Sequence, residues 1–177
     1  SRMVVESLAV FPVISGLTFM FRSLGLSFQE VGVALLGPQM KHLRPLCKFG
    51  VLLALVSSAC LAVVAYSPLA IIWFRDVSGL SLTLTEFAIT PLRLMVLLPA
   101  LSVILSLQRS ILLTTRRTTP ITLASSAEII TIAGFLWIGI HVFDTVGMIS
   151  AAVALVTGRL LTNLWLARPC WRAKVSA

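Results

Sequence analysis

The chain has 177 residues, of which 58% are hydrophobic and only 11% are charged, and its mean hydropathy is +1.04. This composition excludes an ordinary soluble globule, in which about 25% of the residues are charged, and it indicates a protein that resides in lipid. The net charge of +8 does not indicate nucleic acid, because the cations gather at the ends of apolar runs and have few aromatic residues between them. We therefore expect a lipid bilayer as the surroundings of the chain and no nucleic-acid partner.

Five apolar stretches predict five membrane-spanning helices, because one crossing needs about 20 predominantly apolar residues. The predicted spans are 3–36, 43–66, 87–107, 121–140 and 146–167. The first is longer than one crossing requires and contains Pro12 and Gly16, so we expect a tilted or kinked helix there. The sequence thus predicts an all-α, polytopic membrane helix bundle that forms a single domain.

Basic residues gather at every second connection between the predicted spans. The three sets are Lys41, Arg44 and Lys48; Arg109, Arg116 and Arg117; and Arg168, Arg172 and Lys174. The positive-inside rule then predicts a multi-pass protein of the cell membrane, plasma or inner, with its C-terminus in the cytoplasm. Because an odd number of spans would begin outside, in a chain that starts with Ser, we expect an earlier helix and regard the chain as the C-terminal part of a longer protein.

Sequence signatures of catalysis and of metal binding are absent. The chain contains no nucleophile elbow, no glycine-rich phosphate loop and no HExxH pair. Its three cysteines have no paired spacing, and His42 and His141 fall on opposite sides of the predicted membrane. We therefore predict a protein that is not an enzyme and that uses no metal and no cofactor.

Five charged residues lie well inside the predicted helices. They are Arg22, Glu30, Arg93, Glu128 and Arg159. Each costs about 3 kcal/mol at a helix centre, so each must face protein or water. A solute pathway or binding site is the first hypothesis for such residues, and mutual pairing is the alternative.

The first span carries a narrow stripe of small and polar residues at three- and four-residue steps. Its members are Ser15, Thr18, Arg22, Gly25, Gln29 and Gly32. Such a stripe is typical of the wall of a water-filled cavity, which makes Ser15, Thr18, Arg22 and Gln29 candidate substrate-binding residues. The alternative is a tight helix–helix seam, with Arg22 paired to Glu30 or extended toward the lipid headgroups.

Glu128 and Arg159 are predicted to approach each other. Glu128 lies eight residues after Pro120 and Arg159 nine residues before Arg168. At about 1.5 Å per residue, both side chains lie roughly 12 to 14 Å from the same membrane boundary. The pair would either couple transport to an ion or only fix the register of two helices.

Arg93 lies between two prolines of the third span, Pro91 and Pro99. Broken helices expose backbone groups that line a cavity or are buried in protein, so Arg93 is a further candidate for binding an anion. The alternative is a structural arginine that ties the short outer helix, 68–74, to the bundle through Asp76 or Glu86.

Several short runs resemble the C-terminal lobe of the multidrug, oligosaccharidyl-lipid and polysaccharide exporter superfamily. They are Ser67-Pro-Leu-Ala-Ile-Ile-Trp-Phe-Arg-Asp76 with Glu86 and Pro91-Leu-Arg93; Gln108-Arg109 with Arg116-Arg117-Thr-Thr-Pro120; and Gly147-Met-Ile-Ser-Ala-Ala152. Within that superfamily the chain looks most like the progressive-ankylosis type transporter. It departs from the drug exporters at residues 105–111, where they carry a small, glycine-rich stretch.

The resemblance implies a two-lobe transporter of twelve helices, in which this chain is the second lobe without its first helix and the missing N-terminal lobe is its partner. It implies export of a small anionic solute such as pyrophosphate, a nucleotide or a polycarboxylate. The mechanism that we expect is secondary-active transport by alternating access, with Glu30 or Glu128 as a candidate for carrying a coupling proton. Three alternatives stay open. A lipid-linked oligosaccharide flippase would have a cavity open to lipid beside the first helix, and a drug-cation antiporter would have an acidic, aromatic cavity. A non-transporting scaffold would have every charge paired and no cavity.

Overall fold

The computed structural model describes residues 4–37, 40, 42–141 and 147–175, and it contains no strand among them. The helices are α1 (Val4–Leu36), α2 (Leu43–Tyr66), α3 (Leu69–Ile71, continued by a π-helical segment Ile72–Val77), α4 (Leu82–Leu94), α5 (Leu98–Thr114), α6 (Thr119–His141) and α7 (Gly147–Val175). Among the described residues, five helical stretches are long and apolar enough to cross a membrane: Glu6–Leu36, Leu43–Tyr66, Leu82–Thr114, Thr119–Gly139 and Gly147–Ala173. The predicted all-α bundle of five spans is confirmed.

The third span is longer than the hydropathy of the sequence indicated. It covers Leu82–Thr114, because α4 and α5 are joined by a single 3₁₀ turn, Met95–Leu97. The helix begins early because the Ser81 side chain caps it by accepting a hydrogen bond from the Leu84 amide at 3.4 Å. The helical turns that follow Ser81 contain polar residues, and for this reason the hydropathy of the sequence did not assign them to the span.

A hydroxyl group from α2 bridges the break in this span. Pro99 has no amide hydrogen, and the helical ladder is interrupted just before it. The Ser58 hydroxyl donates to the carbonyl of Val96 at 3.0 Å and accepts from the amide of Ala100 at 3.1 Å. In an uninterrupted helix those two backbone groups would bond to each other, so Ser58 replaces one helical hydrogen bond by two of its own.

Consecutive spans run in opposite directions, and two apolar clusters occupy the two ends of the bundle. One cluster joins the start of α1 to the end of α2 and the starts of α4 and α7 through Val10, Leu61, Ala88 and Met148. The second joins the end of α1 to the start of α2 and the ends of α5 and α7 through Leu36, Leu43, Leu112 and Leu166. The second cluster lies at what we call the basic end, because Arg44, Lys48, Arg116, Arg117, Arg168 and Arg172 all belong to the helix termini and the turn there.

The central helix of the bundle is α5. It packs against α1, α2 and α7, whereas α6 packs mainly against α7 and leaves most of its surface exposed. Helices α1 and α6 therefore stand on either side of a floor made by α5 and α7. This arrangement leaves room for a cavity between the four helices.

Candidate anion site between four helices

The carboxylate of Glu128 and the guanidinium of Arg159 form a salt bridge between α6 and α7. The Oε1 of Glu128 lies 3.1 Å from an Nη of Arg159, and the two side chains are only 12% and 16% exposed. Gly158 allows this close approach, because a Cβ there would lie 2.8 Å from Cγ1 of Ile132 and 3.6 Å from the carbonyl oxygen of Glu128. Glu128 and Arg159 therefore meet, as their equal depths in the membrane predicted.

The salt bridge forms part of the wall of a cavity of about 250 Å³. All four helices contribute polar or charged residues to this wall: Arg22 from α1; Ser102, Ser106 and Arg109 from α5; Ser125 and Glu128 from α6; and Arg159 from α7. The remaining wall is apolar. We call this space the arginine cavity.

Serine hydroxyl groups are the partners of the other two arginines in the cavity. The Nε of Arg22 donates to the Ser102 hydroxyl at 3.1 Å, and an Nη of Arg109 donates to the Ser125 hydroxyl at 3.2 Å. The Nε of Arg109 is buried and has no hydrogen-bond partner among the described residues. Hydroxyl groups orient a guanidinium but do not neutralise its charge.

The arginine cavity therefore carries a positive charge that its own residues do not balance. Three guanidinium groups face one carboxylate, which gives a net charge of +2 among the described lining residues. Burying unbalanced charge in an apolar bundle is costly, so the cavity is suited to an anion that supplies the missing negative charge.

Polar contacts hold the floor of the cavity in place. The Gln108 side chain donates to the carbonyl of Asn163 at 3.0 Å, and the Asn163 side chain donates to the carbonyls of Leu101 and Arg159 at 3.1 and 3.0 Å. These bonds join α5 to α7 and fix the backbone that carries Arg159. The position of Arg159 thus depends on both neighbouring helices.

The structure places the residues of the α1 stripe in two different surroundings. Arg22 reaches the arginine cavity, but Ser15, Thr18 and Gln29 are not among the described residues that line it. Thr18 is only 2% exposed, with its hydroxyl 3.9 Å from Sδ of Met95, and the carbonyl of Gln29 accepts a hydrogen bond from Ser110. Most of the stripe therefore has the geometry of the seam that the sequence left open as the alternative.

Glycines of the same stripe bring α1 and α5 together. A Cβ at Gly25 would lie 3.0 Å from the backbone nitrogen of Val103, and one at Gly32 would lie 2.5 Å from the Ser110 hydroxyl. Any larger side chain at Gly25 would meet backbone atoms, which cannot turn away. This close approach brings Arg22 within reach of Ser102.

Arg93 and Glu30 lie away from the arginine cavity and are exposed. The Nε of Arg93 donates to the carbonyl of Ala65 at 3.4 Å, and its guanidinium carbon lies 5.0 Å from the centre of the Tyr66 ring. In place of the tie to Asp76 or Glu86, which was the alternative to an anion site, Arg93 makes these contacts with the end of α2. Arg93 therefore has partners that stabilise a cation, and these partners belong to a helix end.

Arg109 and the serines of the cavity were missed by the sequence argument, which assigned Arg109 to the cytoplasmic turn. In the structure α5 continues to Thr114, so Arg109 lies more than one turn inside the helix. Ser102, Ser106 and Arg109 follow the i, i+4, i+7 pattern of one helix face. That pattern was available in the sequence and would have identified the α5 side of the cavity.

Two apolar residues of the cavity wall are also exposed at the surface of the bundle. Leu26 of α1 and Ile129 of α6 line the cavity and are 48% and 69% exposed. Their side chains are apolar and lie on the face of the bundle where membrane lipid would be. The wall of the cavity thus includes side chains that reach the outer surface of the bundle.

Comparison of the chain with known protein families, curated proteins and solved structures finds no match in any of the three. The resemblance to the exporter superfamily thus stays a prediction. No group of three or more His, Cys, Asp and Glu side chains that could hold a metal ion occurs in the part of the chain that the structure describes.

Proposed function

We propose that the protein is a secondary-active membrane transporter that moves a small anion, such as pyrophosphate or a polycarboxylate, by alternating access. The observation that carries this proposal is the arginine cavity, in which three guanidinium groups and one carboxylate meet inside an apolar bundle. Ionisable residues inside a membrane span are costly, and a solute pathway or binding site is the default hypothesis for them. An anion is the solute whose charge complements the site.

The volume of the cavity favours the smaller candidates. About 250 Å³ lies below the roughly 300–1,000 Å³ of pockets that enclose drug-sized ligands. A nucleotide is of that larger size, whereas pyrophosphate and di- or tricarboxylates are compact. Because the sequence contains no ATP-binding motif, the energy for transport would come from an ion gradient or an electrical gradient.

The residues assigned to this function differ from those that the sequence suggested. Arg22, Arg109 and Arg159 would bind the anion, with Ser102 and Ser125 orienting two of them. Of the two candidate coupling residues, Glu128 lies in the cavity, whereas Glu30 is exposed elsewhere on α1. Arg93 would stabilise the bundle at the end of α2.

The basic end would face the cytoplasm of the cell in which the protein resides. Arginines and lysines of three separate connections share that end, and such a bias orients membrane proteins with these loops inside. The C-terminus of the chain would then be cytoplasmic, as would the nearer end of the arginine cavity.

Transport assays on the full-length protein in liposomes test the proposal. We expect uptake of radiolabelled pyrophosphate or citrate and no uptake of a cationic dye. The Arg22→Gln variant should lose uptake by at least on the order of tenfold, because one charge near the ligand is removed in a medium of low dielectric constant. Arg116→Gln is the matched control, because Arg116 is exposed in the turn after α5.

Two results would contradict the proposal. One is uptake at the normal rate by Arg22→Gln protein that is correctly inserted in the membrane. The other is uptake of the dye in preference to every anion, which would indicate a cation antiporter.

A lipid-linked oligosaccharide flippase is the second candidate, and the exposed apolar lining residues Leu26 and Ile129 favour it. The same arginines would then bind the pyrophosphate of a lipid headgroup while the lipid tail remained in the bilayer. Liposomes that contain a fluorescent pyrophosphate-linked lipid distinguish the two functions. Movement of that lipid between leaflets without uptake of soluble anions would favour the flippase.

A further inference from the structure

We infer that Glu128 selects the charge of the anion, so that the arginine cavity prefers dianions over monoanions and trianions. This inference rests on the proposed function, because it concerns the same site. The salt bridge between Glu128 and Arg159 then has a role in specificity. A salt bridge that only fixed the register of two helices would leave the preference among anions unchanged. The charge count in the cavity is the observation behind it.

Each charged group in the described wall of the cavity has a defined partner. Arg159 has the carboxylate of Glu128 at 3.1 Å, whereas Arg22 and Arg109 have neutral serine hydroxyls at 3.1 and 3.2 Å. The carboxylate therefore cancels one of three positive charges and leaves two. Arg22, Arg109 and Arg159 are the only cationic groups among the described lining residues, and Glu128 is the only anionic one.

The low solvent exposure of the cavity makes its net charge important for binding. Glu128 and Arg159 are 12% and 16% exposed, and the serines at positions 102 and 106 are each 3% exposed. In such a poorly solvated space, charges interact more strongly than in water, and a bound anion that leaves a net charge behind is penalised. A dianion neutralises the cavity. A monoanion leaves a net charge of +1, and a trianion leaves a net charge of −1.

Four forms of the full-length protein separate the effect of the net charge of the cavity from the effect of each individual side chain. Wild type has a cavity charge of +2, Glu128→Gln has +3, Arg159→Gln has +1, and the double variant Glu128→Gln/Arg159→Gln has +2 again. The double variant also avoids a stranded charge, so it keeps the test open where a single variant folds poorly. Glu30→Gln is the matched control, because Glu30 is an exposed glutamate outside the cavity.

Binding should be measured directly on protein in lipid nanodiscs with four carboxylates. Succinamate carries one charge, succinate two and tricarballylate three, and the monoamide of tricarballylate carries two charges at nearly the size of the trianion. This last compound separates the effect of charge from the effect of size. All measurements are made at a pH at which the carboxylates are ionised.

Wild type and Glu30→Gln should bind both dianions most tightly. The preference should shift toward tricarballylate in Glu128→Gln and toward succinamate in Arg159→Gln, each by on the order of tenfold relative to succinate. The double variant should prefer dianions again. An unchanged order of preference in all four forms, or a double variant that behaves like either single variant, would overturn the inference.

The failure of this inference and the failure of the proposed function give different results. If the binding preferences shift as expected but liposomes show no anion flux, the charge selection stands and transport is refuted. If liposomes take up anions but the order of preference never changes, Glu128 has only a structural role. If wild-type protein binds none of the four carboxylates, the charge selection is refuted, and uptake of pyrophosphate by liposomes decides the proposed function separately.

Discussion

The two parts of the third span contain arginines in contrasting surroundings. In α4, Arg93 contacts the carbonyl of Ala65 and the ring of Tyr66, and its neighbour Leu92 belongs to an apolar cluster. In α5, Arg109 contacts only a serine hydroxyl through its Nη, while its buried Nε has no partner among the described residues. The 3₁₀ turn Met95–Leu97 separates the two parts.

This contrast shows that an arginine in an apolar helix does not by itself indicate a binding site. Arg93 is accommodated by groups that the bundle provides in any case, a helix end and an aromatic ring. Arg22 and Arg109 are held in position by serines that leave their charge unbalanced. The unbalanced charge, and the cavity that holds it, are the features that distinguish the α5 half of the span as the proposed binding half.

The largest effect is expected from Gly25→Leu, which would separate α1 from the cavity half of α5. A Cβ at Gly25 would already lie 3.0 Å from the backbone nitrogen of Val103 and 3.1 Å from the backbone carbon of Ser102. We expect a loss of about 1–3 kcal/mol in the free energy of unfolding in detergent, together with weaker anion binding as Arg22 leaves Ser102. Gly16→Leu is the matched control on the same helix, because a Cβ at Gly16 meets nothing within 4 Å. Equal losses in the two variants would show that the seam does not support the cavity.

Those features of the bundle that depend on hydropathy and on distance along a helix could be predicted from the sequence. Five apolar stretches gave the five spans, and equal distances from one boundary brought Glu128 to Arg159. The hydropathy of a stretch does not show which helices it touches. The most apolar 18-residue windows of Leu82–Thr114 and Thr119–Gly139 have mean hydropathies of 2.0 and 1.7, yet 56% of the residues in the first window are buried and 6% of those in the second.

The cavity was harder to predict because its composition depends on how each helix is rotated about its axis. Thr18 and Arg22 lie one turn apart on α1, but Thr18 faces Met95 in the seam and Arg22 faces the cavity. Arg109 was assigned to a turn because other arginines follow it, whereas the helix continues past it to Thr114. Small residues mark close helix contacts and polar cavities alike, so their spacing alone could not distinguish the two.

An intermediate effect is expected from Ser58→Ala, which removes the bridge at the boundary between the two parts. The Ser58 hydroxyl joins the carbonyl of Val96 to the amide of Ala100. Its loss should cost about 1 kcal/mol and should speed hydrogen exchange at the Ala100 amide. Ser126→Ala, at an exposed position of α6, provides the control for loss of a serine hydroxyl. Unchanged exchange at Ala100 would mean that the two parts of the span are held together without the hydroxyl.

The smallest effect is expected from Arg93→Gln, the variant that tests the comparison most directly. Arg93 is exposed, and a cation–π contact at an exposed site contributes about 0.5–1 kcal/mol, so the stability should fall by no more than this. Anion binding and uptake should stay at the wild-type level, in contrast to Arg22→Gln, because the Arg93 charge lies outside the arginine cavity. Uptake measured in liposomes alongside thermal unfolding in detergent gives both values for the same protein preparation. If Arg93→Gln abolished uptake while remaining folded, the two arginines would share one function and the division of the span into a structural half and a binding half would be wrong.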